Sequence, residues 1–238
     1  MAVAKEKEKV TISITPLRVK RVKIRIVGDS PLIIHAWSEK AKKMMLEAMD
    51  GTKKKTKKRP IKRPFDEFAQ ALYWLTPKPE VTVIDENTQE PVNVITEELF
   101  EEAIKNGARF GFPANSFKKS AVAAAYRMGW VPNQTALKAA FFLNSGEGQS
   151  EYAEIKGSTP MMREDMVKVG MGTADIRYRP VFENWYCDLW LEYNESGTIK
   201  LDEILSCINA GGYGIGLGEW RPDRNGDFGR YHVETINN

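Results

Sequence analysis

Two parts of this 238-residue chain carry residue types suited to chemistry on a charged polymer. The first is the run 211–230, GGYGIGLGEWRPDRNGDFGR, which holds seven glycines, Tyr213, Trp220 and the arginines Arg221, Arg224 and Arg230. Glycines at Gly211, Gly212, Gly214, Gly216 and Gly218 offer nothing to pack in a core strand, so something else must come close. Two explanations compete. Bare amides around Gly216 and Gly218, flanked by arginines, would let a polyanion lie on the main chain; alternatively the glycines take positive φ or admit a neighbouring helix. The arginines and Trp220 favour nucleic acid. A mononucleotide loop is excluded, because the run has neither the Lys-Ser/Thr of a P-loop nor a strand, G-x-G-x-x-G, helix order.

The second is His35, set between Ile33, Ile34 and Trp37. An imidazole can exchange a proton near neutral pH, and Asp29 is near enough in the chain to orient it. The alternative is a satisfied, half-buried histidine.

The other candidates are cations and rings that would track phosphates and stack bases. Val22, Ile24 and Ile26 alternate with Lys23 and Arg25, so one strand carries an apolar and a basic face. Eight basic residues follow within 53–63: Lys53, Lys54, Lys55, Lys57, Lys58, Arg59, Lys62 and Arg63. Such a run cannot be buried, and its binding to a phosphate backbone would be strongly salt-dependent. Lys118 and Lys119 sit at the start of an expected helix, where free amides favour anions. Between 145 and 180 lie four methionines (Met161, Met162, Met166, Met171) with Arg163, Lys168, Arg177, Tyr178 and Arg179. That segment reads either as a core-covering loop or as a flap that clamps a strand.

Composition narrows the class. Residues 1–70 hold 19 Lys/Arg against 8 Asp/Glu, a net +11, and the remainder 16 against 24, a net −8. A basic surface facing a polyanion and acidic surfaces elsewhere are the expected consequence. No apolar run approaches the length of a membrane span and the first ten residues lack an apolar leader core, so a cytoplasmic protein is expected. Two cysteines, Cys187 and Cys207, and two histidines, His35 and His232, make a zinc or disulfide framework improbable, and no cofactor is implied.

These residues need elements to position them. Alternation predicts an edge strand over 10–14 and a strand over 22–26. Ser38 caps an expected helix to Gly51 with Ala41, Met45 and Ala48 on its buried stripe. Pro64 restarts regular structure, with Phe65, Phe68, Ala69, Leu72 and Tyr73 as a helical stripe. VTVI and VNVI form a hairpin, and a helix over 96–106 ends at Gly107. A strand over 109–112 is broken by Pro113, and Asn115 or Ser116 caps a helix ending at Gly129. A further helix runs 133–142, a strand alternates around Cys187, Leu189 and Leu191, Leu201 to Ile208 mark the last helix, and 228–236 closes the sheet. The expected fold is α+β: a ferredoxin-like, RRM-related antiparallel sheet with helices on one face. One domain, 1–238, would carry a basic segment (51–64), a hairpin and helix (77–107) and the flap (145–180) as insertions.

Three segments resemble a known family. GFPANSFKKSAVAAAYR resembles the Pro-x-x-Ser-x-Lys turn and helix of the RAMP superfamily, the repeat-associated proteins of CRISPR systems. IGLGEWRPDRNGDFG resembles its C-terminal glycine-rich loop, with the next glycine, Gly226, two positions later than usual. VKIRIVGDSPLIIHAW is similar to its first strand and following loop. The basic insert and MREDMVKVGMGTADIRYRP look more like proteins of bacteriophage and prophage early regions. The resemblance implies a subunit that coats one strand without sequence preference and contacts a neighbouring copy through its flap and hairpin. The leading expectation is therefore a cooperative single-stranded nucleic-acid-binding protein of phage replication or recombination, DNA being favoured over RNA. Alternatives implied by the resemblance are an RNA-binding backbone subunit and a metal-independent endoribonuclease, since some relatives cut RNA with a histidine near the first helix and His35 could act there as general acid or base on a 2′-hydroxyl; a further alternative is a self-assembling phage structural protein.

Overall fold

The computed structural model describes residues 16–37, 39–51, 60–146, 151–169 and 172–235. In chain order they form β1 (Val19–Gly28), β2 (Leu32–Ile33), α1 (Glu39–Met49), α2 (Pro64–Gln70), β3 (Tyr73–Trp74), β4 (Val81–Ile84), β5 (Pro91–Val94) and α3 (Glu97–Lys105). Then come β6 (Phe110–Pro113), α4 (Ala114–Arg127), α5 (Gln134–Ala140), β7 (Phe141–Asn144), β8 (Tyr152–Glu154), β9 (Met161–Val169) and β10 (Thr173–Phe182). The chain ends with β11 (Tyr186–Asn194), α6 (Leu201–Gly214), a 3-10 turn (Pro222–Arg224) and β12 (Tyr231–Thr235). The fold is α+β with antiparallel strand pairing.

A four-stranded sheet, in the order β12-β1-β11-β7, is the frame. Strand alternation sends every second side chain to the same side. Register sets Ile24 opposite Leu189 and Ile26 opposite Cys187, and all four are buried. α4 and α6 contribute to this same core through Phe117, Ala121, Ile204 and Ile208. Burying each such side chain is worth about 1.5–3 kcal/mol, so this layer holds the sheet in place. The chain passes from β1 to β7 by way of α4 and α5, and from β11 to β12 by way of α6.

The glycine run is split by this packing. Gly211, Gly212 and Gly214 belong to α6 and not to a loop. A Cβ on Gly212 would stand 1.9 Å from the Tyr231 carbonyl oxygen, so the bare position is what lets α6 lie against β12. Beneath it the Ser120 and Tyr231 hydroxyls share a buried hydrogen bond.

Around the frame, β2 pairs with β10 and so attaches the long β9–β10 hairpin to the body. α2 begins with Pro64 at its first position and brings Phe65 and Phe68 against Phe100 of α3, edge to face. Thr96 caps α3 by accepting from the Leu99 N–H, and Gly107 ends it at φ +81°. The β4–β5 hairpin takes the expected place.

Several expectations are corrected. On the expected α1 stripe Met45 is 50% exposed and Ala48 is exposed, with no cover among the described residues. α4 starts directly after Pro113 with no side-chain cap, so neither Asn115 nor Ser116 plays that part. Phe141 and Phe142 lie in β7, not in a helix, since pairing with β11 overrides their local pattern. The helix beginning at Pro64 ends at Gln70, which places Tyr73 in β3. The methionine segment is a hairpin with Met161, Met162 and Met166 exposed, not a core cover. The strand over 10–14, the Ser38 cap and Met171 lie outside the described residues.

Candidate nucleic-acid interface

β2 is only two residues long, yet two distant segments meet on it. On one side β10 pairs with it, and the Ile34 N–H donates to the Pro180 carbonyl at 3.0 Å. On the other side the glycine-rich loop docks: the Glu219 N–H donates to the Ile33 carbonyl at 2.9 Å and the Gly229 N–H to the Pro31 carbonyl at 2.8 Å. Gly218 permits this. It sits at φ +68°, and a Cβ there would be 2.1 Å from the Ile33 oxygen. Packing against the protein's own backbone therefore accounts for Gly218 without any ligand.

The root of the hairpin is held by a buried carboxylate. Asp165 accepts from Arg163 Nε at 2.8 Å, Arg179 Nη1 at 3.2 Å and the Trp220 indole N–H at 3.3 Å. Burial pushes the Asp165 pKa up, but the hydrogen bonds from Arg163 and Arg179 outweigh it and hold the carboxyl below its ordinary value. Arg179 also pairs with Glu219 at 3.5 Å, and the Arg163 guanidinium lies 4.8 Å above the Phe228 ring. Trp220 is held at φ +53°, an outlier for a bulky side chain, and stays 40% exposed. His35 leaves β2 beside this network. Burial first and Arg179 second depress its pKa, against the opposing pull of Glu219. Its Nδ1 is buried with no hydrogen-bond partner among the described residues. Asp29 does not orient His35, because it bonds His232 Nδ1 at 2.7 Å instead.

The face of the sheet opposite the core carries Arg21, Lys23 and Arg25 of β1 beside Tyr186, Asp188 and Trp190 of β11. Arg25 is engaged: it binds Asp188 through Nε at 2.8 Å and Nη2 at 3.2 Å and lies 4.4 Å over the Tyr186 ring. Arg21 stacks on Trp190 at 5.2 Å. Lys23, opposite Trp190, makes no ion pair among the described residues. Sequence reasoning missed Tyr186, Trp190 and Arg21, although the alternation in WYCDLWLEYN that buries Cys187 and Leu189 already sends Tyr186 and Trp190 to the other face.

The remaining candidates divide. Lys53, Lys54, Lys55, Lys57, Lys58 and Arg59 lie outside the described residues. Lys62 binds Asp175 Oδ1 at 3.1 Å and the Ile176 carbonyl, and its ammonium is 5.8 Å from the Tyr178 ring. Arg63 pairs at 2.9 Å with Asp85, a fully buried carboxylate that also accepts from Ile61, Asn87 and Thr88. Burial would raise the Asp85 pKa, yet the Thr88 amide, Arg63, and the Ile61 and Asn87 amides hold it at about 2. Lys62 and Arg63 thus anchor the exit of the basic run. Arg177 pairs with Asp175 at 2.8 Å, and Arg221 with the Gly218 carbonyl at 2.9 Å and Asp223 at 3.3 Å. The backbone of Gly216, at φ +68°, lies against Pro222 and Arg221. Among the described residues the buried Arg230 Nε has no hydrogen-bond partner, and Lys168 and Arg224 make no ion pair. Lys118 and Lys119 line a separate cleft on α4.

Among the described residues, no group of three or more His, Cys, Asp or Glu could hold a metal ion, and no helix is long and apolar enough to cross a membrane. In comparisons with known proteins, no family model matches the chain and no curated protein matches it.

Proposed function

We propose that this protein binds single-stranded nucleic acid without sequence preference and cooperatively, DNA being the favoured strand, in a phage replication or recombination role. One observation carries the reading: Trp220 is forced into a left-handed backbone conformation, half exposed, with its indole N–H fixed on Asp165 beside Arg163 and Arg179. Strain of that kind costs about 1–3 kcal/mol and is retained where a side chain must be presented. A ring face next to preorganised arginines is the combination that single-strand binders use, the ring for a base and the guanidinium groups for phosphates. The strand order supports the finer fold reading too. With the elements inserted between them set aside, β1, α4, β7, β11, α6 and β12 come in the order strand, helix, strand, strand, helix, strand, which is the ferredoxin-like sequence of elements.

The test is fluorescence-anisotropy binding to single-stranded DNA, single-stranded RNA and duplex DNA of equal length at rising salt. Tight, salt-sensitive binding to single strands and weak duplex binding is expected, and Trp220→Ala is expected to weaken it roughly five- to hundredfold. Absence of binding to all three would overturn the reading. A second reading, an endoribonuclease, draws on one feature: His35 is kept neutral by burial and Arg179, the state a general base needs. His35→Ala separates the two, since a nuclease would lose cleavage and a binder would keep its affinity.

A further inference from the structure

We infer that the cleft between α4 and α5 is a second nucleotide subsite, apart from the hairpin root, in which lysines take a backbone phosphate and the exposed Phe142 ring takes a base. This rests on the single-strand reading above and extends the path of the strand beyond the hairpin root.

The cleft is half open to solvent, offers about 430 Å³ and is lined by Asn115, Lys118, Lys119, Val122, Gln134 and Lys138. That volume lies within the range of small-ligand sites. Three lysines line one concavity, and none of the three pairs with a carboxylate among the described residues. Like charges gathered in this way repel one another, and an anion placed between them removes the repulsion. Asn115 and Gln134 add neutral donors suited to phosphate oxygens. The lining includes no acidic side chain, which argues for an anion over a cation or a basic peptide.

Phe142 supplies the second half. It alternates with the buried Phe141 and Leu143 along β7, and so is turned out, 55% exposed, at the edge of the sheet. The Lys118 ammonium sits 4.1 Å from its ring centroid and 5.5 Å from that of Phe141. Lys118 therefore belongs to both the cleft and the ring, which places a phosphate-binding cation and a stacking face side by side. The burial that depresses the Lys118 pKa fits a cation held at the wall of a cleft instead of extended into solvent. Glu192, which stands across the strand pair from Phe142, is drawn toward Arg21 at 3.9 Å.

The experiment measures anisotropy of a fluorescein-labelled oligothymidylate across a salt series. It compares the wild-type protein, a Lys118→Gln/Lys138→Gln variant, Phe142→Ala and Trp220→Ala. Thermal unfolding of each variant provides the control for folding. The subsite predicts that the lysine variant loses about 0.7 from the salt-dependence slope per phosphate contact removed. It predicts that Phe142→Ala weakens binding roughly fivefold or more with the slope unchanged. If the wild-type and Trp220 results support strand binding while both cleft variants bind as the wild type does, the subsite is overturned and the function stands. If the wild-type protein binds no strand, both fall. Should Phe142→Ala unfold, protection of Lys118 and Lys138 from acetylation by bound oligothymidylate decides in its place, and lack of protection overturns the subsite.

Discussion

Asp165 and His35 show how single residues at the hairpin root are tuned by what surrounds them. Asp165 is nearly inaccessible to solvent and is kept ionised by the two arginines and an indole that it joins, so it binds the hairpin to the glycine-rich loop. His35 is pushed the other way, toward its neutral form, by burial and by the Arg179 charge. The sign of its effect on stability follows from linkage. An unfolded histidine binds its proton near pH 6.5, and the folded one does so only at lower pH. The stabilising contribution is therefore complete above about pH 6.5 and is lost as pH falls from there toward the folded value. Urea unfolding at pH 7 and at pH 5 is expected to show a loss of stability for the wild type that is smaller in His35→Gln. An unchanged difference in the variant would mean that other groups carry the effect. The sequence singled out Trp220, but it could not show that Asp165 holds its indole, since a carboxylate in a Met-rich segment gives no local sign of a partner 55 positions away.

At the scale of elements, the glycine run divides into two tasks, helix packing at Gly212 and loop docking at Gly218, and both are contacts with the protein itself. The element-level prediction concerns Gly218. A methyl group there meets the Ile33 carbonyl, and the left-handed backbone is unfavourable for alanine as well. Gly218→Ala is expected to cost about 2 kcal/mol or more, read as a lowered urea midpoint, with a parallel loss of strand binding because Glu219 and Trp220 shift with the loop. Wild-type stability in that variant would show that the loop is not tied to β2 as described. Helices and strands with strong periodicity were legible: β1, the β4–β5 hairpin, α3, β11 and the body of α6. The failures have a common cause. Phe141 and Phe142 were drawn into β7 by pairing with β11, and Met45 and Ala48 of α1 stayed exposed for want of a cover among the described residues, and neither outcome is a local property.

For the whole molecule, the strand order brings the β1–β2 connection, the hairpin root and the glycine-rich loop to one place, although they are far apart in the chain. The charge split, +11 over residues 1–70 and −8 beyond, would serve strand coating and head-to-tail stacking alike. Light scattering after nuclease treatment distinguishes them. The binding reading expects small species that grow when oligothymidylate is added, whereas large oligomers that survive nuclease would favour a self-assembling structural protein. What the sequence determined by itself was the α+β class, the elements with clear period, the basic character of the N-terminal third and the segments worth watching, because periodicity and charge are carried by neighbouring residues. The tertiary structure decided which cations are already paired within the protein, as Arg25, Lys62 and Arg63 are, and which face an open cleft, as Lys118 and Lys138 do. It also decided that Gly212 and Gly218 meet backbone. The physical reason is that pairing, close approach and concavity are relations between distant parts of the chain, and they exist only once the sheet has brought those parts together.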